Sequence, residues 1–361
     1  MIYEYLITFI LTFLMVYSLT PMIIKFAMKI NFVDNPSQRK VHKKVIPLMG
    51  GVAVFIGFFS FSIYNVLLLQ HKDFDSGFIS YISGAFLIMI IGLIDDKIGM
   101  KPKVKLIGQL LVCLIFIYFN KLYNLFGHIY ITLPILILWM VGLMNAFNFL
   151  DNMDGILSGM SGILALGFFA LGFLNKAVPT SVGAQSQFIA IFSITFAGAT
   201  FGFLPHNFNP AKIFLGDAGS MFIGYFLSTM GILTGRQIVN HANSNLYYLL
   251  PILLLSYAIF DITLVSYTRK RDGRHISEGG KDHSTHRIGN YVGSTKLTAI
   301  IVYIINLLIA LLSVFVFEVN SKILLLVSTI IFSTIFIFFG SKLDEVPIII
   351  TKNQIKKKKE R

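Results

Sequence analysis

The sequence predicts an all-α, polytopic membrane protein of about ten to eleven transmembrane helices. Three observations predict it. Of 361 residues, 55% are hydrophobic and only 13% are charged. That is about half the charge of an average globular chain, so a water-soluble surface cannot be assembled from it. Apolar runs repeatedly approach or exceed the ~20 residues that cross a ~30 Å hydrocarbon core. The runs are continuous and do not alternate over ten residues, which makes them helices and not barrel strands.

Taken in order, the spans are expected at roughly 3 to 28, 48 to 69, 78 to 94, 104 to 120, 129 to 147, 155 to 174, 186 to 204, 213 to 234, 246 to 267, 297 to 317 and 322 to 340. The first is too long for a removed signal peptide and no small-residue cleavage site follows it, so it is expected to stay as an anchor. The second follows the glycine pair after Pro47. The third and fourth are short and are separated by the charged stretch Asp95 to Lys103; the fifth and sixth are separated by Asn148 to Asp154. Residues 1 to 345 read as one integral-membrane domain and residues 346 to 361 as a basic tail.

Charge orients these spans. With this span list, one side of the membrane carries 25 of the 30 Lys and Arg, and the other only Lys72, Lys121, Lys176, Arg236 and Lys322. The positive-inside rule therefore places the N-terminus outside and the tail in the cytoplasm of a plasma membrane. The net charge of +13 is accounted for by topology and an anionic lipid bilayer, and no nucleic acid is needed as a partner. A single cysteine, Cys113, lies mid-span, so neither a disulfide nor a cysteine metal site is available.

On this topology Asp95, Asp96, Asp151, Asp154 and Asp217 all fall at cytoplasmic span ends or in the connections beside them. An ionised side chain at membrane depth costs several kcal/mol unless paired, hydrated or metal-bound, so such acids are functional candidates. A single acid at a span end is also a plain helix cap; five on one face, with an asparagine pair, are more than caps require. In GLIDDKIGMKPKVK, adjacent carboxylates repel, so one suits a proton acceptor, and the following lysines, including Lys105, suit phosphate oxygens. In NAFNFLDNMDG, Asn145, Asn148, Asp151 and Asp154 recur every three residues along one helix edge. Hard oxygen ligands there suit Mg²⁺ shared with substrate phosphates. In FNPAKIFLGDAGSMFIG, Asp217 opens a helix, where free N–H groups attract anions, and its neighbours Gly216 and Gly219 allow close backbone approach. The connection RKRDGRHISEGGKDHSTHRIG carries His283, His286 and Arg287, suited to a diphosphate. Zinc is the competing reading, but no Glu or Cys completes a familiar spacing. The arm NPSQRKVHKKVIPLMGG is either a positive-inside anchor or part of a shaped site near the headgroups.

These motifs, in this order, closely resemble the polyprenyl-phosphate N-acetylhexosamine-1-phosphate transferases. That family holds the N-acetylglucosamine-1-phosphate transferases of teichoic acid and O-antigen synthesis and their relative the phospho-MurNAc-pentapeptide translocase. The resemblance covers about residues 20 to 290. It implies ten or eleven helices and a cytoplasmic-face active-site cleft. The implied reaction moves a sugar phosphate from a UDP-sugar to undecaprenyl phosphate, with Mg²⁺ (or Mn²⁺) and release of UMP. By resemblance Asp95 and Asp96 are the catalytic pair, with Asp95 toward the lipid phosphate and Lys105 beside the diphosphate. Asn148 and Asp217 match the metal positions. Asp151, Asp154, Asn145, His283, His286 and Arg287 fall on the substrate side. Two departures stand out: Asn152 replaces a usual glycine in Asp151-Asn152-Met153-Asp154-Gly155, and the loop reads His283-Ser284-Thr285-His286 where histidines usually adjoin. Asp261 also resembles a family acid, without an assigned role.

The expected reaction is an in-line attack of the lipid phosphate on the β-phosphorus of the UDP-sugar, with a two-step path through a phospho-aspartate as the alternative. A secondary transporter is the reading from another class, but it would place its acids near the midplane and show repeated halves. A homodimer is the remaining partner to consider.

Overall fold

The apolar runs fold as helices. The computed structural model describes residues 2–35, 45–68, 76–175, 181–276 and 278–348. Within them the helices are α1 (Ile2–Lys29), α2 (Gly50–Leu68), α3 (Ser76–Ile98), α4 (Pro102–Phe119), α5 (Ile129–Leu150), α6 (Ile156–Leu174), α7 (Ser181–Asn207), α8 (Gly216–Ala242), α9 (Leu249–Leu254), α10 (Ser256–Arg271), α11 (Ser284–Val292), α12 (Thr295–Val319) and α13 (Lys322–Asp344). Among the described residues nine helices are long and apolar enough to cross a membrane, and α9 with α10 makes a tenth crossing if the bent pair is one span. The shorter apolar α2 accounts for the remaining expected run. The protein is a multi-pass, all-α membrane protein.

Helix α8 is the axis. Every residue from Ala218 to Gly235 is buried, and a helix apolar all round belongs inside a bundle. Its small residues admit neighbours at backbone distance: a Cβ on Gly224 would lie 2.6 Å from the Met144 Cα of α5, and one on Gly92 of α3 would lie 2.3 Å from the Ala218 Cα. Phenylalanines fill the wider gaps, with Phe196 of α7 stacked on Phe226 of α8 at 3.7 Å and Phe58 of α2 edge-on to both. The outer helices show lipid-type surfaces, as at Leu138, Ile323 and Ile337, each at least 75% exposed.

Two elements differ from the sequence reading. The expected ninth span, 246 to 267, is broken into α9 and α10 with a bend of 73°. The two legs serve different neighbours: Pro251 and Tyr248 pack on Gly231 and Gly235 of α8, whereas Phe260 of α10 stacks on Phe336 of α13. The polar connection after residue 267 contains α11, an amphipathic helix closed by Gly293 in the left-handed region (φ +71°). Parts of the basic arm (36–44) and of the tail (349–361) lie outside the described residues. The rest of the arm is a minimal antiparallel pair, β1 (Val33–Asp34) and β2 (Ile46–Pro47). It is laced to the lead-in of α8: Phe214 N–H donates to the Pro47 carbonyl, and Gly50 and Gly51 N–H donate to the carbonyls of Phe214 and Leu215, all at 2.9 Å.

Candidate active site

Where α3, α5 and α8 meet, their polar ends build a connected cluster. Asp95 and Asp96 occupy the last turn of α3. Asp95 Oδ1 accepts from the Met100 N–H at 2.7 Å, fixing the turn into α4, and its Oδ2 lies 2.8 Å from Lys105 Nζ. Lys105 donates at 2.6 Å to Asp217 Oδ2, and Asn148 Nδ2 donates at 2.8 Å to Asp217 Oδ1 and also to Ser220 Oγ. One ammonium thus bridges two carboxylates from separate helices.

Asp96 has a different task. Its two oxygens accept the N–H groups of Asp217 (2.8 Å) and Ala218 (3.1 Å), satisfying otherwise orphaned donors at the start of α8. Gly216 makes this possible: its φ is +73°, and a Cβ there would sit 2.5 Å from Asp96 Oδ2. Asp96 therefore aims the Asp217 side chain.

The other acids lie in the turn between α5 and α6. Asp151 closes α5. Burial raises its carboxyl well above the usual range, and the charges of Asp217, Asp96 and Asp154 add to the rise. Among the described residues it carries no side-chain hydrogen bond, so an acid facing three others lacks a protein partner. Asp154 Oδ2 accepts from Asn209 Nδ2 (2.9 Å) and the Ala211 N–H (3.0 Å), holding the connection before α8. Asn145 is one turn deeper: its amide donates to Gln109 Oε1 at 3.0 Å and to the Val141 carbonyl at 2.8 Å, so no contact of its own links it to the acids.

The histidine stretch is anchored on buried charge. Asp261, fully buried in α10, pairs with His283 Nδ1 at 2.9 Å and accepts from Ser284 N–H (2.7 Å) and Oγ (2.6 Å). Asp282 takes a bidentate contact from Arg269 (2.7 and 2.9 Å) and a third from Arg274 (2.7 Å). Burial alone would raise its carboxyl, but the Arg269 hydrogen bonds and charge, with His283 and Arg274, bring it down to about 2. His286 is lowered to about 4, first by burial and then by the nearby His283, and its Nδ1 is buried without a hydrogen-bond partner. Arg287 is turned away from the acids, toward the Asp282 and Leu343 carbonyls and Asp344. Its contacts strap α11 to the end of α13. The buried partners Gln109, Ser220, Arg269 and Asp282 were not singled out from sequence, because each is an unremarkable polar residue until its partner is known.

The donor set suits a hard divalent cation. Asp95, Asp217, Asp151 and the Asn148 amide offer oxygens, the only thiol is buried Cys113 in α4, and Lys105 already brings cationic charge between two of the acids. Among the described residues no three His, Cys, Asp or Glu gather into a metal-binding group.

Comparison with known proteins shows the family of the chain. A family model described as glycosyl transferase family 4 matches residues 78–235. A probable undecaprenyl-phosphate N-acetylglucosaminyl 1-phosphate transferase of Bacillus subtilis is 31% identical over 342 residues, 92% of this chain and 88% of the relative. A decaprenyl-phosphate N-acetylglucosaminephosphotransferase of Mycolicibacterium smegmatis is 30% identical over 311 residues, 77% of this chain and 73% of the relative. A phospho-N-acetylmuramoyl-pentapeptide-transferase of Bacillus licheniformis is 31% identical over 262 residues, 65% of this chain and 76% of the relative. With acids, lysine and asparagine gathered at one end of an all-helical bundle, the chain belongs to glycosyl transferase family 4, the polyprenyl-phosphate sugar-1-phosphate transferases.

Proposed function

We propose that this chain transfers N-acetylglucosamine-1-phosphate from UDP-N-acetylglucosamine to undecaprenyl phosphate at the cytoplasmic face of the plasma membrane, the first step of a surface-polymer pathway. The observation that carries the reading is the bridge of Lys105 between Asp95 and Asp217, beside an Asp151 without a protein partner. Carboxylates from two separate helices meet at Lys105 at the end of apolar helices, where a lipid phosphate and a water-borne nucleotide could meet.

In the favoured one-step mechanism an oxygen of the lipid phosphate forms a bond to the β-phosphorus of the UDP-sugar while the bond from that phosphorus to the α–β bridging oxygen breaks. UMP leaves with that oxygen and its electron pair. Lys105 pairs with diphosphate oxygens, and Asp95 orients the attacking phosphate. Asp96 holds the α8 turn that presents Asp217, and Asp151 and Asp154 frame the nucleotide side. Asp217 and Asn148 would hold Mg²⁺, which would neutralise charge on the diphosphate when bound. Positioning and charge neutralisation supply most of the rate in such transfers. A phospho-aspartate path would use the same acids.

The test is purified protein with undecaprenyl phosphate and a panel of UDP-sugars, reading UMP release and the mass of the lipid product. UMP and a lipid-diphospho-N-acetylhexosamine are expected; no UMP with any sugar would sink the reading.

A further inference from the structure

Two polar residues far apart in sequence meet beside the acids: Thr285 lies 133 positions after Asn152, yet Thr285 Oγ1 donates to Asn152 Oδ1 at 2.7 Å. Thr285 is fully buried, so its hydroxyl is held at that acceptor. A glycine at 152 would offer no side-chain acceptor at all. The other half of the Asn152 amide donates to the Phe149 carbonyl at 2.6 Å, tying the contact back to the last turn of α5.

The neighbourhood makes this contact a junction. On one side Asp261 of α10 grips His283 and Ser284, fixing the start of α11. On the other side Asn152 sits between Asp151 and the Asp154 that holds the connection before α8. Phe149 packs edge-on to the His283 ring at 5.6 Å, and Met153 lies against Gly289. Apart from these apolar contacts, the Asn152–Thr285 hydrogen bond is the polar link between the turn carrying Asp151 and the helix carrying His286 among the described residues.

We propose that Asn152 and Thr285 are a positioning pair for the sugar nucleotide, a clasp that sets α11 and its His286 against the Asp151–Asp154 turn. The proposal rests on the function above and adds a positioning role to it. Neither residue is a catalytic residue; each acts through the groups on either side.

The test combines kinetics with hydrogen exchange. Thr285→Val keeps the shape of the buried side chain but removes the hydroxyl that serves Asn152 Oδ1, so it should still fold, with a melting temperature in detergent only slightly below that of the wild type. Its KM for UDP-N-acetylglucosamine should rise about tenfold with kcat within twofold, as expected for a contact that serves ground-state and transition-state binding alike. Thr285→Ser should return KM to within about threefold of the wild type. Asn152→Ala should resemble Thr285→Val, and the double variant should be no worse than Asn152→Ala, since the two share one interaction. Unchanged KM in Thr285→Val, no rescue by serine, or independent multiplication of the two effects would overturn the clasp. Amide exchange in residues 151–155 should also quicken in Thr285→Val. That measurement needs no turnover: an inactive wild type would defeat the functional reading, while unchanged exchange would defeat the clasp by itself.

Discussion

The approach of α2 to α8 can be tested with one methyl group. A Cβ on Gly51 would lie 2.3 Å from the Gly219 nitrogen and 2.4 Å from its Cα, more than ~1 Å inside ordinary contact. Both opposing atoms are backbone, so no rotamer relieves the overlap; the start of α2 and the first turn of α8 must move apart, and α8 carries the displacement to Asp217. That turn carries Asp217, whose contacts to Lys105 and Asn148 are only 2.6 and 2.8 Å long. A shift of ~1 Å therefore opens the cluster. Misplacement on that scale costs on the order of 100-fold in rate, and the overpacking itself costs about 1–3 kcal/mol, which a folded bundle survives. Gly51→Ala should thus elute as a folded protein yet have kcat lowered about 100-fold. Gly142→Ala is the control: a Cβ there meets nothing within 4 Å, so activity should be unchanged and stability higher by ~0.5–1 kcal/mol. Initial rates of UMP release, with thermal unfolding in detergent, read both variants. A Gly51→Ala enzyme turning over within threefold of the wild type would show that the close approach does not set the acid geometry.

Other outcomes follow from the same site. Excess EDTA should abolish turnover, Mg²⁺ or Mn²⁺ should restore it, and full activity in the chelator would remove the metal from the mechanism. Asp95→Asn should depress kcat with a nearly unchanged KM for the UDP-sugar, whereas Asp154→Asn should raise that KM; wild-type kinetics in either would reassign its role. The Asp282 carboxyl sits at about 2 when folded, against 3.8 when unfolded. The unfolded chain therefore binds this proton more tightly, and the stabilising contribution of Asp282 is complete above about pH 5 and lost progressively as pH falls from about 5 toward 1. Unfolding midpoints across that window should drop more steeply for the wild type than for Asp282→Asn, and parallel curves would refute the assignment. In a Cys113→Ser background, cysteines at exposed His275 and exposed Asn245 should react with an impermeant thiol reagent from opposite sides of the membrane; labelling of both from one side would overturn the proposed topology.

The amino-acid sequence by itself determined the class of this protein. Twenty-residue apolar runs admit one solution in hydrocarbon, because every backbone N–H and C=O must be satisfied within the segment. The acids at span ends stood out as a group, since five on one face are more than helix caps require. Tertiary structure decided which acid does what. Asp95 and Asp96 are adjacent and alike in sequence, yet one meets Lys105 and the other caps α8, because successive residues on a helix point about 100° apart. Asn145 and Asn148 share one motif, but only Asn148 reaches Asp217, while Asn145 turns to Gln109. The partners of Arg287 on α13 were not visible in the sequence. Asp261 gained its role from His283 and Ser284, and Asn152 from Thr285. Local pattern fixes which face a residue can occupy, but the partner it meets belongs to another element, from ten to more than a hundred positions away, and only the packing of the bundle brings the two together.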